Sequence, residues 1–374
     1  MPNILRQTLF ALAAAVAVAL PASALEAPPA PGTPQNVTIP SKTRISLDNG
    51  LQATLVPFGD VPQVAVLARV RTGNLNEGGK TWLADLATDL FKEGTENYDA
   101  RSLAEAAARM GGALSIGVGS ETTTVSIDVL TEFGPQAVEL VAEVLRRPTF
   151  PESELPRIRQ DFARGLAVSR SQPQSLGAEA FAALIYGDHP FGTVFPTEEE
   201  LAGYTLADIR DYYAANFGAR RTSVYVSGVF DEDAMADAIR QSFGDWEAGP
   251  AVYTNVPEPV AKAQGRFVDR ADATQSNILV GLPVADPSSE DYTQLQFLNS
   301  LSGSAGLMSR LMLNIRADKG YAYSPGSGIS SHYRDAVWRA SANVDTPSTG
   351  PALTEIFGEI RRLHDEPPSE QEMT

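Results

Sequence analysis

The stretch TWLADLATDLFKEGT, residues 81–95, sets the interpretation of the whole chain. Its apolar residues recur at the three- and four-residue spacing of one helix face: Leu83, Leu86, Leu90 and Phe91. This pattern predicts an amphipathic helix over residues 80–92. Asp85 and Asp89 lie four residues apart and would share another face of that helix. Two such carboxylates can begin a calcium or magnesium site if further oxygen ligands lie near, and otherwise they form an exposed helix face in a groove.

The N-terminus has the pattern of a secretory signal peptide. An apolar run over residues 8–20 follows Arg6, and Ala22-Ser23-Ala24 forms a small-residue cleavage site. We expect residues 1–24 to be removed, because the apolar run is too short for a helix that spans a membrane. An uncleaved anchor is the alternative. The sequence therefore predicts an exported protein, periplasmic or otherwise outside the cytoplasm, that is soluble after cleavage.

Cysteine content and charge exclude several classes of protein. The chain contains no Cys, so neither disulfide bonds nor thiol chemistry are available to it. Residues 1–24 hold one Arg and no acid, so the 29 basic residues fall to 28 on cleavage, against 46 acidic residues, a formal charge of −18. Such an acidic chain is a poor partner for nucleic acid or an anionic membrane surface.

The chain divides into two similar halves. We predict a proline-rich tether over residues 25–42, a first domain over 43–247, a linker over 248–264 and a second domain over 265–374. In both halves a strand, a helix, a hairpin and a helix follow in that order, which is an internal repeat of pattern. Strands interleaved with helices and hairpins predict an α+β fold, with mainly antiparallel sheets covered by helices. The second half has few residues after its last predicted helix, so we expect an incomplete second domain.

Four features in order resemble the M16 (insulinase or pitrilysin-like) peptidases, the inverzincins whose zinc-binding helix carries H-x-x-E-H. They are the repeated order of elements, FKEGT after the helix of residues 80–92, YGDHPFGT at 186–193 and SRLMLNIRADKGYAYSPGSG at 309–328. The resemblance covers residues 43–374. It implies two repeated M16-type domains joined by a linker.

The resemblance also implies where a zinc site would lie. In the family the two histidines and the glutamate of H-x-x-E-H stand where this chain has Asp85, Asp89 and Thr88, and the third ligand stands at Gly165, 76 residues after Asp89. No zinc ligand and no general base remains, so we expect this chain to hold no metal. The chain has three histidines in unrelated segments, His189, His332 and His364, and we expect His189 to have a structural hydrogen-bonding role.

A second part of the family site is present. M16 enzymes carry an Arg and a Tyr, seven residues apart, that bind substrate carbonyls and stabilise the oxyanion. Arg316 and Tyr323 have this spacing, and Tyr321 is a near neighbour with the wrong spacing. The small-residue loop of residues 301–310 corresponds to a glycine-rich loop that contacts substrate in the family's heterodimers, which suggests substrate-binding roles for a set of three residues: Gly303, Ser304 and Gly306. A flexible connection between helices explains the loop equally well.

The sequence predicts a zinc-less M16 subunit. It would be a pseudopeptidase alone, and would pair with an H-x-x-E-H subunit as a heterodimer that degrades or processes peptides, with zinc only in the partner. Arg316 and Tyr323 would act in trans. One alternative is a structural M16-like scaffold with no role in catalysis. Another is an autonomous hydrolase, which the absence of Cys and of a G-x-S-x-G motif disfavours.

Overall fold

The computed structural model describes residues 38–258, 260, 262–370 and 372. The predicted signal peptide and most of the predicted tether lie outside these residues. Six strands form the first sheet, in the order β1-β2-β6-β3-β5-β4. Their bounds are Thr43–Ser46 (β1), Gln52–Pro57 (β2), Gln63–Val70 (β3), Ser115–Val118 (β4), Thr123–Leu130 (β5) and Thr222–Gly228 (β6). The β2–β6 pair is parallel and the other four neighbouring pairs are antiparallel.

Alternating side chains explain the position of β3 in this sheet. Val64, Val66, Ala68 and Val70 are buried, whereas the residues between them keep solvent exposure. A period of two places every second side chain on one face, so one face of the sheet joins the core and the other stays open. The Asn49-Gly50 turn between β1 and β2 forms as the sequence predicts, with Gly50 at φ 96°.

Eight α-helices accompany the first sheet in the described residues. They are Leu83–Phe91 (α1), Ala100–Arg109 (α2), Gly134–Arg146 (α3), Leu155–Ser171 (α4), Pro173–Tyr186 (α5), Glu198–Gly203 (α6), Leu206–Asn216 (α7) and Glu232–Phe243 (α8). The apolar residues of α1 are buried in the core, as their spacing predicts. The sequence analysis missed α6, a short helix that begins with a capping box in which Thr197 and Glu200 exchange side-chain and backbone hydrogen bonds.

The second domain repeats part of the first. It contains Gln275–Pro283 (β7), Tyr292–Asn299 (α9), Gly326–His332 (β8), Asp335–Asp345 (β9) and Thr349–Asp365 (α10). Its antiparallel sheet has the order β7-β9-β8, which matches β3-β5-β4 of the first sheet. Leu311, Ile315, Trp338 and Ile356 belong to a separate core beneath it. This arrangement confirms the predicted α+β fold with a repeated strand order, while the precise domain boundaries stay a prediction.

Close contacts join the two domains. Helix α5 packs on β7 through two glycines: a Cβ on Gly177 would lie 2.5 Å from Asn277 Oδ1, and one on Gly281 would lie 2.5 Å from the Phe181 ring. The Tyr186 hydroxyl donates to Asp335 Oδ2 at 2.9 Å. None of the helices in the described ranges is long and apolar enough to cross a membrane.

Two of the three histidines, His189 and His332, come from segments far apart in the sequence and meet at this junction. Phe191 stacks on His332 at 4.1 Å between ring centroids and lies 4.6 Å from His189. His189 Nδ1 accepts the Phe191 N–H, so its Nε2 carries the proton that faces Asn255 O at 3.2 Å. His189 thus has the structural hydrogen-bonding role that the sequence predicts, and it anchors the segment that leads to the second domain.

Candidate functional site

Helix α1 begins with a buried acid that the sequence analysis missed. Trp82, the residue before the helix, has φ 69° and provides no side-chain cap. Glu77 provides it instead, because its carboxylate accepts the N–H groups of Ala84 at 2.8 Å and Trp82 at 3.2 Å. Burial raises the pKa of Glu77 to about 7. The sequence feature that could have identified Glu77 as the cap is an acidic residue a few positions before the first turn of the helix.

Asp85 takes part in the same hydrogen-bond network. Asn74 Nδ2 donates to Asp85 Oδ2 at 2.7 Å and to Glu77 Oε1 at 2.9 Å. Burial raises the pKa of Asp85, and the negative charge of Asp89 adds to the effect. Asp85 is therefore a partly buried, bonded residue rather than part of an exposed helix face.

Thr88 and Asp89 have partners within their own helix region. Thr88 is 3% exposed, and its hydroxyl donates to Ala84 O at 2.7 Å, one turn earlier. Asp89 Oδ1 accepts from Lys92 Nζ at 2.6 Å in a solvent-exposed ion pair. The Thr88 hydroxyl is thus bonded within its own helix, and one carboxylate oxygen of Asp89 is paired with a lysine at the helix end.

The residues at the family's zinc positions do not fit a zinc ion. Gly165 lies exposed on α4, which runs past the start of α1, as the 5.8 Å contact between the Phe162 and Trp82 rings shows. A Cβ on Gly165 would meet no atom within 4 Å, so space for a ligand remains but no donor does. Zinc in proteins takes His, Cys or carboxylate ligands, usually four in total. Within the described ranges, no three His, Asp or Glu residues lie close enough together to hold a metal ion.

Arg316 and Tyr323 are in direct contact in the second domain. Arg316 Cζ lies 4.4 Å from the centroid of the Tyr323 ring, within cation–π range. Arg316 belongs to a π-helical segment, Met312–Asp318, and Tyr323 is 78% exposed. Neither side chain has an ion pair or hydrogen bond to the rest of the described chain. Their polar groups are therefore available to another molecule.

Tyr321 has a different environment from Tyr323. Between them, Ala322 is buried and forms an antiparallel bridge with Val344 of β9. Tyr321 is partly buried and packs against the core of the second domain. Among the described residues, the ring of Tyr323 and not that of Tyr321 has a cation–π contact with Arg316, and the role of either tyrosine stays a prediction.

The glycine-containing loop has an ordered backbone. A π-helical turn, Ser300–Ser304, continues from α9, and a short 3-10 turn, Gly306–Met308, follows. Gly303 packs against β8 so closely that a Cβ would lie 2.2 Å from Ser327 N. Ser304 and Gly306 are exposed. Close packing thus explains Gly303, and substrate contact by any of these three residues stays a prediction.

Family models and individual relatives both show similarity to M16 peptidases. The insulinase (peptidase family M16) model matches residues 60–194, and the model for the peptidase M16 inactive domain matches residues 203–374. A Bacillus subtilis (strain 168) protein named an uncharacterized zinc protease is 26% identical over 292 residues, covering 77% of this chain and 70% of that protein. One from Mycobacterium leprae (strain TN) is 27% identical, covering 76% and 65%.

Solved structures share the fold at lower identity. A protease from Helicobacter pylori has a TM-score of 0.83 at 20% identity, covering 90% of this chain and 83% of that one. The peptidase M16 inactive domain from Pseudomonas fluorescens has a TM-score of 0.79 at 19% identity, covering 89% and 81%. The periplasmic protease PqqL from Escherichia coli has 0.76 at 17%, covering 91% and 38%. Since the two family models match the two folded domains in chain order, the protein belongs to the M16 (insulinase) peptidase family.

Proposed function

We propose that this chain is the non-catalytic subunit of an exported heterodimeric M16 metallopeptidase. It would hold unstructured peptides and supply Arg316 and Tyr323 in trans to a partner that carries H-x-x-E-H. Zinc would be bound by the partner alone. The model match to an M16 inactive domain supports the non-catalytic part of this proposal.

The observation that carries the proposal is the contrast between the two halves of the family site. Asp85, Thr88 and Asp89 are all engaged by neighbours in their own domain. Arg316 and Tyr323 contact each other and keep their hydrogen-bonding groups free. A site that had lost all function would have no reason to keep the second arrangement after losing the first.

Arg316 and Tyr323 could both donate hydrogen bonds to a substrate carbonyl oxygen as it gains negative charge. A guanidinium donates in a fixed planar geometry, and a tyrosine hydroxyl donates from the end of a rigid ring. Donors that are already oriented stabilise a developing oxyanion more than water does, because they need no reorganisation during the reaction. Stacking on Tyr323 restricts the rotation of the Arg316 guanidinium and so orients both groups together.

The proposal places this chain outside the cytoplasm. The PqqL neighbour is a periplasmic protease by name, and the predicted signal peptide would direct this chain to the same compartment. The relatives named zinc proteases support a role connected with peptide hydrolysis. A structural scaffold is the alternative function, and it gives Arg316 and Tyr323 no chemical task.

Reconstitution tests the proposal directly. The mature chain and an M16 protein that carries H-x-x-E-H, taken first from a neighbouring gene, are purified separately and together, and cleavage of an unstructured peptide is measured. We expect co-purification, no cleavage by this chain alone and cleavage by the pair. Elemental analysis of this chain alone is the control, and we expect no stoichiometric zinc.

Two results would contradict the proposal. A partner that is fully active without this chain would favour the scaffold. A tightly bound zinc in this chain that is lost in Asp85→Ala would show that the chain has its own metal centre.

A further inference from the structure

One face of the first sheet is uncovered in the described part of the chain. Cross-strand register gives its central row: Arg44, Thr54, Tyr225, Leu67 and Ser126, on β1, β2, β6, β3 and β5 respectively. All five keep solvent exposure, whereas their neighbours along the strands, such as Ala53, Val224 and Ala68, are buried. We call the exposed side, from β1 to β5, the open face.

Two arginines lie side by side on the open face. Arg69 is the next outward-pointing residue of β3 after Leu67, and Arg71 follows two positions later, where its N–H still bonds to Arg221 O at 2.8 Å. Alternate residues of a strand lie about 7 Å apart on one face. The backbone positions of Arg69 and Arg71 therefore have the spacing of alternate residues in a second extended peptide.

Each arginine is held by a tyrosine ring and by no acid. Arg69 Cζ lies 5.8 Å from the Tyr225 ring centroid, and Arg71 Cζ lies 5.4 Å from that of Tyr333, in the turn between β8 and β9. No carboxylate of the described residues pairs with either guanidinium. The carboxylate of Glu121 instead accepts the Tyr333 N–H at 3.0 Å. Both arginines thus keep free donors, and Arg71 does so where the second domain meets the first sheet.

The charge of the open face is opposite to that of the chain. The protein has a formal net charge of −17, yet the charged strand positions on the open face are Arg44, Arg69 and Asp128, and Arg71 extends the basic group. Around them lie small or hydroxyl side chains that leave room for a backbone: Thr54, Ser223, Ser227, Thr124 and Ser126. A partner must therefore offer negative charge locally and be thin enough to lie along a strand.

We infer that the open face binds an extended acidic segment of the peptide, with carboxylates at alternate positions paired to Arg69 and Arg71. This inference rests on the proposed peptide-binding function and narrows its substrate class. Guanidinium–carboxylate pairs are bidentate and charge-assisted, so they favour Glu over its neutral isostere Gln. Stacking on Tyr225 and Tyr333 keeps both guanidiniums in position before the peptide arrives.

A pair of matched probes tests this inference. One is a fluorescein-labelled, Ser- and Ala-rich peptide with Glu at two alternate positions, and the other has Gln at the same positions. Binding of each probe to the full chain is followed by fluorescence anisotropy. We expect the Glu probe to bind about tenfold more tightly. In the R69Q/R71Q double variant we expect this ratio to fall to about two or below.

Two further variants locate the effect. Arg109→Gln removes an exposed arginine at the end of α2 and should leave the ratio unchanged. An Arg69→Lys/Arg71→Lys variant keeps the charge but loses the bidentate geometry, and should give an intermediate ratio. Circular dichroism melting confirms that each variant is folded.

The outcomes separate this inference from the proposed function. Equal binding of both probes would overturn the acidic preference but leave peptide binding intact. An unchanged ratio in R69Q/R71Q would overturn the assignment to these two arginines. Failure of the chain, alone and with its partner, to bind either probe would overturn both the inference and the peptide-binding part of the proposed function.

Discussion

The region around α1 and the Arg316–Tyr323 corner correspond to the two halves of one family site, and they have opposite characters. Around α1, each polar side chain is used by its own domain, as in the Glu77–Asn74–Asp85 network. At the corner, Arg316 and Tyr323 stack on each other, and neither side chain forms a hydrogen bond or ion pair with the rest of the described chain. The difference teaches that helix α1 is held in place by its apolar residues, which pack in the core whatever side chains stand at positions 85 and 89.

The largest effect should come from the packing residues of α1. Phe91 is fully buried and touches three rings, with centroids at 5.4 to 6.0 Å: Phe150, Tyr213 and Phe217. Phe91→Ala removes these contacts and leaves a cavity, so we expect a loss of about 3 to 5 kcal/mol in the free energy of unfolding. Urea denaturation measures it. Phe357→Ala, at a 49% exposed position on α10, should cost far less, and equal losses would refute a structural role specific to α1.

A smaller, pH-dependent effect should come from Glu77. Its pKa rises from an ordinary value of 4.5 to about 7 on folding, so the folded state keeps a proton that the unfolded state releases between these pH values. Stability from this group is present below pH 4.5 and is lost as the pH rises through about 7.

The Glu77→Gln variant removes this titration but keeps an acceptor for the Ala84 N–H. Its free energy of unfolding, relative to wild type, should therefore increase by about 3 kcal/mol between pH 4.5 and pH 7. Thermal or urea unfolding across this range provides the measurement. A difference that stays constant with pH would contradict the burial of a protonated Glu77.

The smallest effect should come from Asp89, although it stands at a family zinc-ligand position. Its ion pair with Lys92 is solvent-exposed, and such pairs contribute at most about 1 kcal/mol. We expect Asp89→Asn to change the free energy of unfolding by less than about 0.5 kcal/mol and to leave turnover by the heterodimer unchanged. A large loss of turnover with normal stability would mean that this helix still takes part in the chemistry.

Local pattern explains which parts of the fold the sequence could predict. Helix α1 was expected over residues 80–92 and is found at Leu83–Phe91, because its burial depends on the spacing of its own apolar residues. The parallel pairing of β2 with β6 was not predicted, since these strands are distant in sequence and only the assembled sheet brings them together. The capping of α1 by Glu77 was missed because the αL conformation of Trp82 displaces the cap from its usual position.

For the candidate site, the sequence selected residues whose role stays a prediction. A spacing of seven residues selected Arg316 and Tyr323, and the structure places them in contact. Spacing could not show that Tyr321 packs on the core, nor that Tyr333 stacks on Arg71 across the domain border. These contacts depend on the tertiary structure, and the sequence around each tyrosine does not predict them.

The central claim is that Arg316 and Tyr323 serve the chemistry in trans. Its most direct test is peptide turnover by the reconstituted heterodimer containing Tyr323→Phe, with Tyr321→Phe as the matched control and size-exclusion chromatography to confirm assembly. We expect Tyr323→Phe to lower turnover about a hundredfold, as the loss of one oxyanion donor does, and Arg316→Ala to lower it at least as much. Tyr321→Phe should be nearly silent. Wild-type turnover in both Tyr323→Phe and Arg316→Ala would contradict the claim and leave the scaffold as the function of this chain.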